Sequence, residues 1–153
     1  MTISVTLRPA RQADLEVLFA NQADPASGAM AGVPTRDRET FLAHQARVDA
    51  NPETVRRVIV LEDGRVAGDI ATWRDADGAR VVGYRIGREF WGLGVASAAL
   101  PLFLGEITAR PLYAHVLPAN SRSIRVLEKA GFVRLPADDP HNDDPDTLAY
   151  ALR

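Results

Sequence analysis

The chain has 153 residues, 46% of them hydrophobic and 25% charged, with a net charge of −2. That profile suits one ordinary domain with a core, and it lacks the cationic excess that would draw a protein to nucleic acid or an anionic membrane. The absence of cysteine excludes disulfides, thiolate metal sites and a cysteine nucleophile. No run approaches the ~20 apolar residues of a membrane span, and MTISVTLRP lacks the basic start and apolar stretch of a signal peptide, so a cytoplasmic protein is expected.

Ile3, Val5 and Leu7 alternate with Thr2, Ser4, Thr6 and Arg8, the period of a half-buried strand, and Pro9 stops it. Residues 11–22 predict a helix with Leu15, Leu18 and Phe19 on one face. The Gly-, Pro- and Ala-rich stretch 23–34 predicts a long loop. A second helix is expected over about 36–50, with Phe41, His44 and Val48 in helical spacing. Strands 56–62 and 65–74 meet at Asp63-Gly64, a two-residue hairpin signal, and Asp77-Gly78 leads into a third strand at 79–86.

From Gly94 to about Ala109, Val95, Ala98, Ala99, Leu102, Phe103 and Ile107 fall at helix spacing, with Pro101 inside the run and expected to kink it. Residues 111–117 predict a strand. The clearest helix lies in 119–132, where Asn120 is a good N-cap, Ile124 and Leu127 form the apolar stripe, and Gly131 ends the helix. Phe132–Leu135 and Thr147–Leu152 predict short strands on either side of an acidic, solvated loop. The sum is one α+β domain with a mostly antiparallel sheet.

The stretch REFWGLGVAS, residues 88–97, puts Gly92 and Gly94 immediately before a helix. A helix start there offers unpaired amides from Leu93 through Val95 and Ala96 to Ser97, together with the positive end of the macrodipole. Glycines would let a phosphate or pyrophosphate approach without Cβ clashes. By itself the pattern also fits a plain strand-to-helix turn, and it is neither a Walker loop nor a dinucleotide fingerprint.

The run GYRIGREFWGLGVASAAL, followed about two dozen residues later by VLPANSRSIRVLEKAGF, resembles the GNAT acetyltransferase superfamily. The nearest likeness is to the branch of ribosomal-protein N-terminal acetyltransferases, the Rim-type branch, and LRPARQADLE is similar to that family's opening. The resemblance implies a single GNAT-like domain over 1–153. Its mixed, mostly antiparallel twisted sheet would have about 6–7 strands and about four flanking helices. It implies acetyl-CoA as co-substrate, with its diphosphate on the amides of Leu93 to Ser97. The pantetheine arm would lie between splayed parallel strands, 81–87 and 111–117, lined by Tyr84, Arg85 and Ile86. Asn120 would stand beside the pantetheine as well as cap its helix, Ser123 would be a candidate general acid toward the departing thiolate, and Lys129 a CoA phosphate contact. The implied activity is direct transfer of acetyl, in a ternary complex, to a primary amine on a protein N-terminus or a small molecule. Dimers are common in that family, so a homodimer is compatible with it.

Three positions depart from the family pattern. Val81 stands where many relatives carry a Glu, Arg85 where a Trp follows the Tyr, and Ser97 where a Glu opens the helix. The catalytic base is therefore open. Asp69, breaking the apolar AGDIA, and His115, on the strand beside the cofactor, are the candidates. Transfer of another acyl group such as succinyl, or a CoA-binding sensor without catalysis, are the competing readings. His44 and His141 have no ligand spacing, and no metal is expected.

Overall fold

The computed structural model describes residues 3–31 and 35–153. The alternating segments build β1 (Val5–Arg8), β2 (Val55–Leu61), β3 (Val66–Arg74), β4 (Arg80–Ile86), β5 (Leu112–Val116), β6 (Val133–Arg134) and β7 (Leu148–Leu152). They make one seven-stranded sheet in the order β1-β2-β3-β4-β5-β7-β6. All neighbours are antiparallel except β4 and β5, which run parallel.

Five α-helices accompany the sheet: α1 (Leu15–Ala23), α2 (Pro25–Ala31), α3 (Arg38–Ala50), α4 (Val95–Glu106) and α5 (Ser121–Lys129). The extra helix is α2, where a loop over 23–34 was expected; residues 32–34 of that stretch, like Thr2, lie outside the described residues. The local chemistry explains the difference. Asp24 Oδ1 accepts from the Ala26 amide at 2.9 Å, Pro25 takes the first helical position, and the alanines favour helix over loop. In α4 the helix runs unbroken through Pro101 and stops at Glu106, short of Ala109. The expected strand 132–135 shrinks to two residues because Phe132 and Leu135 turn into the core. The acidic loop after it is docked rather than merely solvated: the His141 ring stacks on Tyr113 with centroids 4.0 Å apart.

Helix α5 follows its sequence signals closely. Asn120 Oδ1 accepts from the Ser123 amide at 3.2 Å. At the other end Gly131 (φ +99°) and Phe132 return their amides to Glu128 and Leu127 at 3.1 and 3.0 Å, the paired bonds of a Schellman stop.

The sheet has two different faces. On one, α4 and α5 pack Leu100, Phe103 and Leu127 against Ile59, Ile70 and Val82 to form the main core. On the other, α1 and α3 bring Leu18 and Phe41 onto Val58 in a smaller cluster. A bulge in β3 decides which face receives Asp69. The β2–β3 register passes from Ile59↔Gly68 to Val60↔Val66, so Ala67 has no partner of its own. Strict alternation from Val66, which packs on the Val58 cluster, would turn Asp69 into the main core and Ile70 out of it. The one extra residue keeps Ala67 in the core and sends Asp69 to the opposite face.

Candidate active site

Parallel strands β4 and β5 share a single ladder pair, Val81 with Tyr113. Beyond it the strands part, and the edge of β4 from Tyr84 to Ile86 has no β5 partner. Two side chains brace this gap. Trp91 Nε1 donates to the Ile86 carbonyl at 2.8 Å. The Tyr84 hydroxyl reaches across to α5, where it meets Ser123 Oγ at 2.7 Å. Burial pushes the Tyr84 phenol above its ordinary value, against the opposing pull of the Ser123 hydrogen bond, so the phenol stays protonated at neutral pH.

On the α4–α5 side of the gap lies a cavity of about 390 Å³. Gly92 (φ +80°) and Gly94 (φ +82°) occupy the left-handed region that favours glycine. A Cβ at Gly92 would meet nothing within 4 Å, so the approach to the helix start is open. The first helical bond runs from the Ala98 amide to the Gly94 carbonyl at 3.0 Å. Val95, Ala96 and Ser97 thus sit in the first turn, where amides lack helical partners, and all three line the cavity. Leu93, grouped with them by the sequence, is 52% exposed and forms no part of the wall.

Tyr84, Arg85, Ile86, Asn120, Ser123 and Lys129 converge on this cavity from their separate elements. The sequence reading missed Arg122 and Arg125, which with Lys129 carry three cations along one stripe of α5 at spacings of three and four. That spacing was the available signal. It also missed Ser27 and Met30, because α2 was taken for a loop. Met30 is tied in through its carbonyl, which accepts from Asn120 Nδ2 at 3.4 Å.

On the α1–α3 side lies a second cavity of about 490 Å³. Met30, Tyr84, Arg85, Asn120 and Ser123 line both cavities, so the two meet through the strand gap. Both candidate bases line this second space. Asp69 stands opposite Arg85 across the β3–β4 ladder. Burial raises its carboxyl to about 6, against the pull of Arg56 and Arg85. His115 alternates with the buried Ala114 and Val116 and is exposed. Val81, at the position of the family Glu, is buried among Tyr113, Leu135 and Ala149. Among the described residues no group of three or more His, Asp or Glu could hold a metal ion, and no helix is long and apolar enough to cross a membrane.

The family model described as "Acetyltransferase (GNAT) domain" matches residues 4–133. The chain belongs to the GNAT acetyltransferase family. A relative, "Probable N-acetyltransferase YjcK" of Bacillus subtilis (strain 168), is 28% identical over 102 residues, covering 62% of this chain. The match spans only 56% of that relative's length. Among solved structures, an acetyltransferase from Agrobacterium tumefaciens str. C58 superposes with a TM-score of 0.81 at 23% identity, covering 100% of this chain and 92% of that one. The spermidine N-acetyltransferase of Vibrio cholerae, in complex with CoA and spermine, gives 0.78 at 15% identity over 97% and 93% of the two chains. These two likenesses show the GNAT fold.

Proposed function

We propose that this GNAT protein transfers an acetyl group from acetyl-CoA to a primary amine, with both substrates bound together. The observation that carries the reading is the strand gap: one cavity on each side of the sheet, meeting at Tyr84, Asn120 and Ser123. The cavity on the α4–α5 side fits CoA chemically. First-turn amides at Val95 to Ser97, the open backbone at Gly92 and the cations Arg122, Arg125 and Lys129 suit a diphosphate. The unladdered edge of β4 offers backbone groups to the amides of a pantetheine arm. Acetyl-CoA supplies the activated acyl carbon and a thiolate leaving group.

The chain's own groups then divide the proton work between the two faces. Asp69, titrating near neutrality, takes a proton from the amine on the α1–α3 face. The Tyr84–Ser123 hydroxyl pair holds a proton on the other side of the gap, facing the place where thiolate charge develops. Asp69 thereby takes the role that Val81 cannot fill. His115 is the weaker candidate, exposed at the rim and, among the described residues, without a hydrogen-bond partner to orient its ring. Within the family, the NSRSIRVLEKAGF and FWGLGVAS segments favour the branch of ribosomal-protein N-terminal acetyltransferases.

Calorimetry with acetyl-CoA, followed by thiol release across a panel of primary amines, tests the reading. Binding and turnover are expected, and Tyr84→Phe and Ser123→Ala should each slow turnover by about tenfold to 100-fold with little change in acetyl-CoA affinity. Failure to bind acetyl-CoA, or binding without thiol release for every amine, would overturn it.

A further inference from the structure

The acceptor cavity has a charge pattern that a simple amine does not need. Arg85, half-buried on β4, makes no side-chain hydrogen bond among the described residues; burial makes its charge harder to hold, the facing Asp69 favours that charge, and the nearby Arg36 opposes it. Among the described residues neither Arg36 nor Arg85 has a carboxylate within 4 Å. Two guanidinium groups that repel each other across one cavity are costly to assemble unless an anion joins them.

The fold secures one of them deliberately. Gln22, only 5% exposed near the C-terminal end of α1, spends its side chain largely on the Arg36 backbone. Its Nε2 donates to the Arg36 carbonyl at 2.8 Å, and its Oε1 accepts from the Arg36 amide at 2.8 Å. A buried amide used in this way fixes where the arginine enters the cavity. The same wall holds two acceptor groups: the Asp69 carboxylate, and Gln45 Oε1, which is buried and unbonded among the described residues. Cationic donors and anionic acceptors thus face one space that also has apolar wall from Leu18, Phe41, Trp73 and Val116, with His44, His115, Asp144 and Thr147 on its border.

We propose that the acceptor is an α-amino acid with an apolar side chain, its carboxylate held by Arg36 and Arg85 and its amino group set against Asp69 and Gln45. The inference rests on the acetyl-transfer reading above and narrows it. A polyamine would bring only cations to the two arginines, and the N-terminus of a peptide has an amide where the carboxylate should be. Asp69 accepts the ammonium proton, which frees the amine lone pair for the acyl carbon, while the carboxylate remains ionised on the guanidinium pair.

The test compares L-leucine, L-phenylalanine and L-methionine with their carboxamides and with spermidine. The free acids should exceed both in kcat/KM by about tenfold or more. Arg36→Gln, at an exposed position that does not threaten folding, should erase that preference mainly through KM while acetyl-CoA affinity stays unchanged. Arg85→Gln, at a residue that borders both cavities, should likewise erase the preference for the free acids. Carboxamides or spermidine used as well as the acids, or an Arg36→Gln variant that slows acid and carboxamide alike, would overturn the inference. Absence of thiol release with every amine tested is failure of the transferase reading. Calorimetry on the CoA-loaded protein then decides the acceptor separately: binding of leucine but not leucinamide sustains the carboxylate site, and any other pattern refutes it.

Discussion

The two cavities that meet at the strand gap are built in opposite ways. The wall on the α4–α5 side, proposed to take CoA, comes largely from two short segments, 84–97 and 120–129, and much of its chemistry is main chain: left-handed glycines, first-turn amides and an unladdered strand edge. The acceptor-side wall gathers single side chains from α1, α3, β3, β4, β5 and the loop before β7, residues as far apart in sequence as Leu18 and Thr147. A backbone site tolerates side-chain drift and keeps one ligand. A side-chain site changes its ligand with each substitution, which is how one fold serves many acceptors.

The sharpest way to break this contrast is at Gly68, where the halves share one piece of backbone. A Cβ there would lie 2.0 Å from the Arg85 carbonyl oxygen. No rotamer relieves a backbone clash, so Gly68→Ala should cost about 3 kcal/mol or more and displace β4, lowering the melting temperature and weakening both acetyl-CoA binding and turnover. Normal affinity and activity in a stably folded variant would show that the gap does not depend on this contact.

Asp69→Asn should separate the halves. Turnover is expected to fall about 100-fold with acetyl-CoA affinity unchanged, and the rise of kcat as pH passes about 6 should vanish with it. Stability moves the other way. Folding raises this carboxyl from 3.8 to about 6, so the folded protein binds the proton more tightly than the unfolded chain does. Stability is therefore lost as pH climbs through that interval and stays lower above it. The Asn variant should melt higher than its parent at about pH 8, by on the order of 2 kcal/mol, and no higher below about pH 4. Unfolding curves at the two pH values check the sign, and kcat against pH checks the base.

The smallest expected effect lies in the CoA half. Arg122→Ala with Arg125→Ala should weaken acetyl-CoA about tenfold, more at low salt than at high salt, and leave the acceptor KM alone. Titration of acetyl-CoA at two ionic strengths would show it, and an unchanged affinity would remove α5 from phosphate recognition.

The hairpins, the capped helix α5 and the helix start at Gly92–Gly94 were readable because each depends on neighbours in sequence. Asn120, Gly131 and the two glycines do their work within a turn or so of chain. The misreadings were also local: α2 went unseen because Gly and Pro outweighed the capping Asp24, and Leu93 was counted with its neighbours although the turn leaves it outside the wall. Asp69 and His115 could be named as bases, but no property of the strand pattern could place them on the same face. A bulge at Ala67 reversed the alternation for one, and ladder register governed the other.

Sequence alone therefore determined the α+β class, the family likeness and the glycine-rich helix start, because hydrogen-bonded turns and caps are encoded over a few residues. Tertiary structure alone decided that Gln22 holds Arg36, that Arg36 and Arg85 face one cavity, and that burial pushes the Asp69 carboxyl up to about 6. Those properties arise from desolvation and charge between residues distant in the chain, and they exist only once the sheet has brought them together.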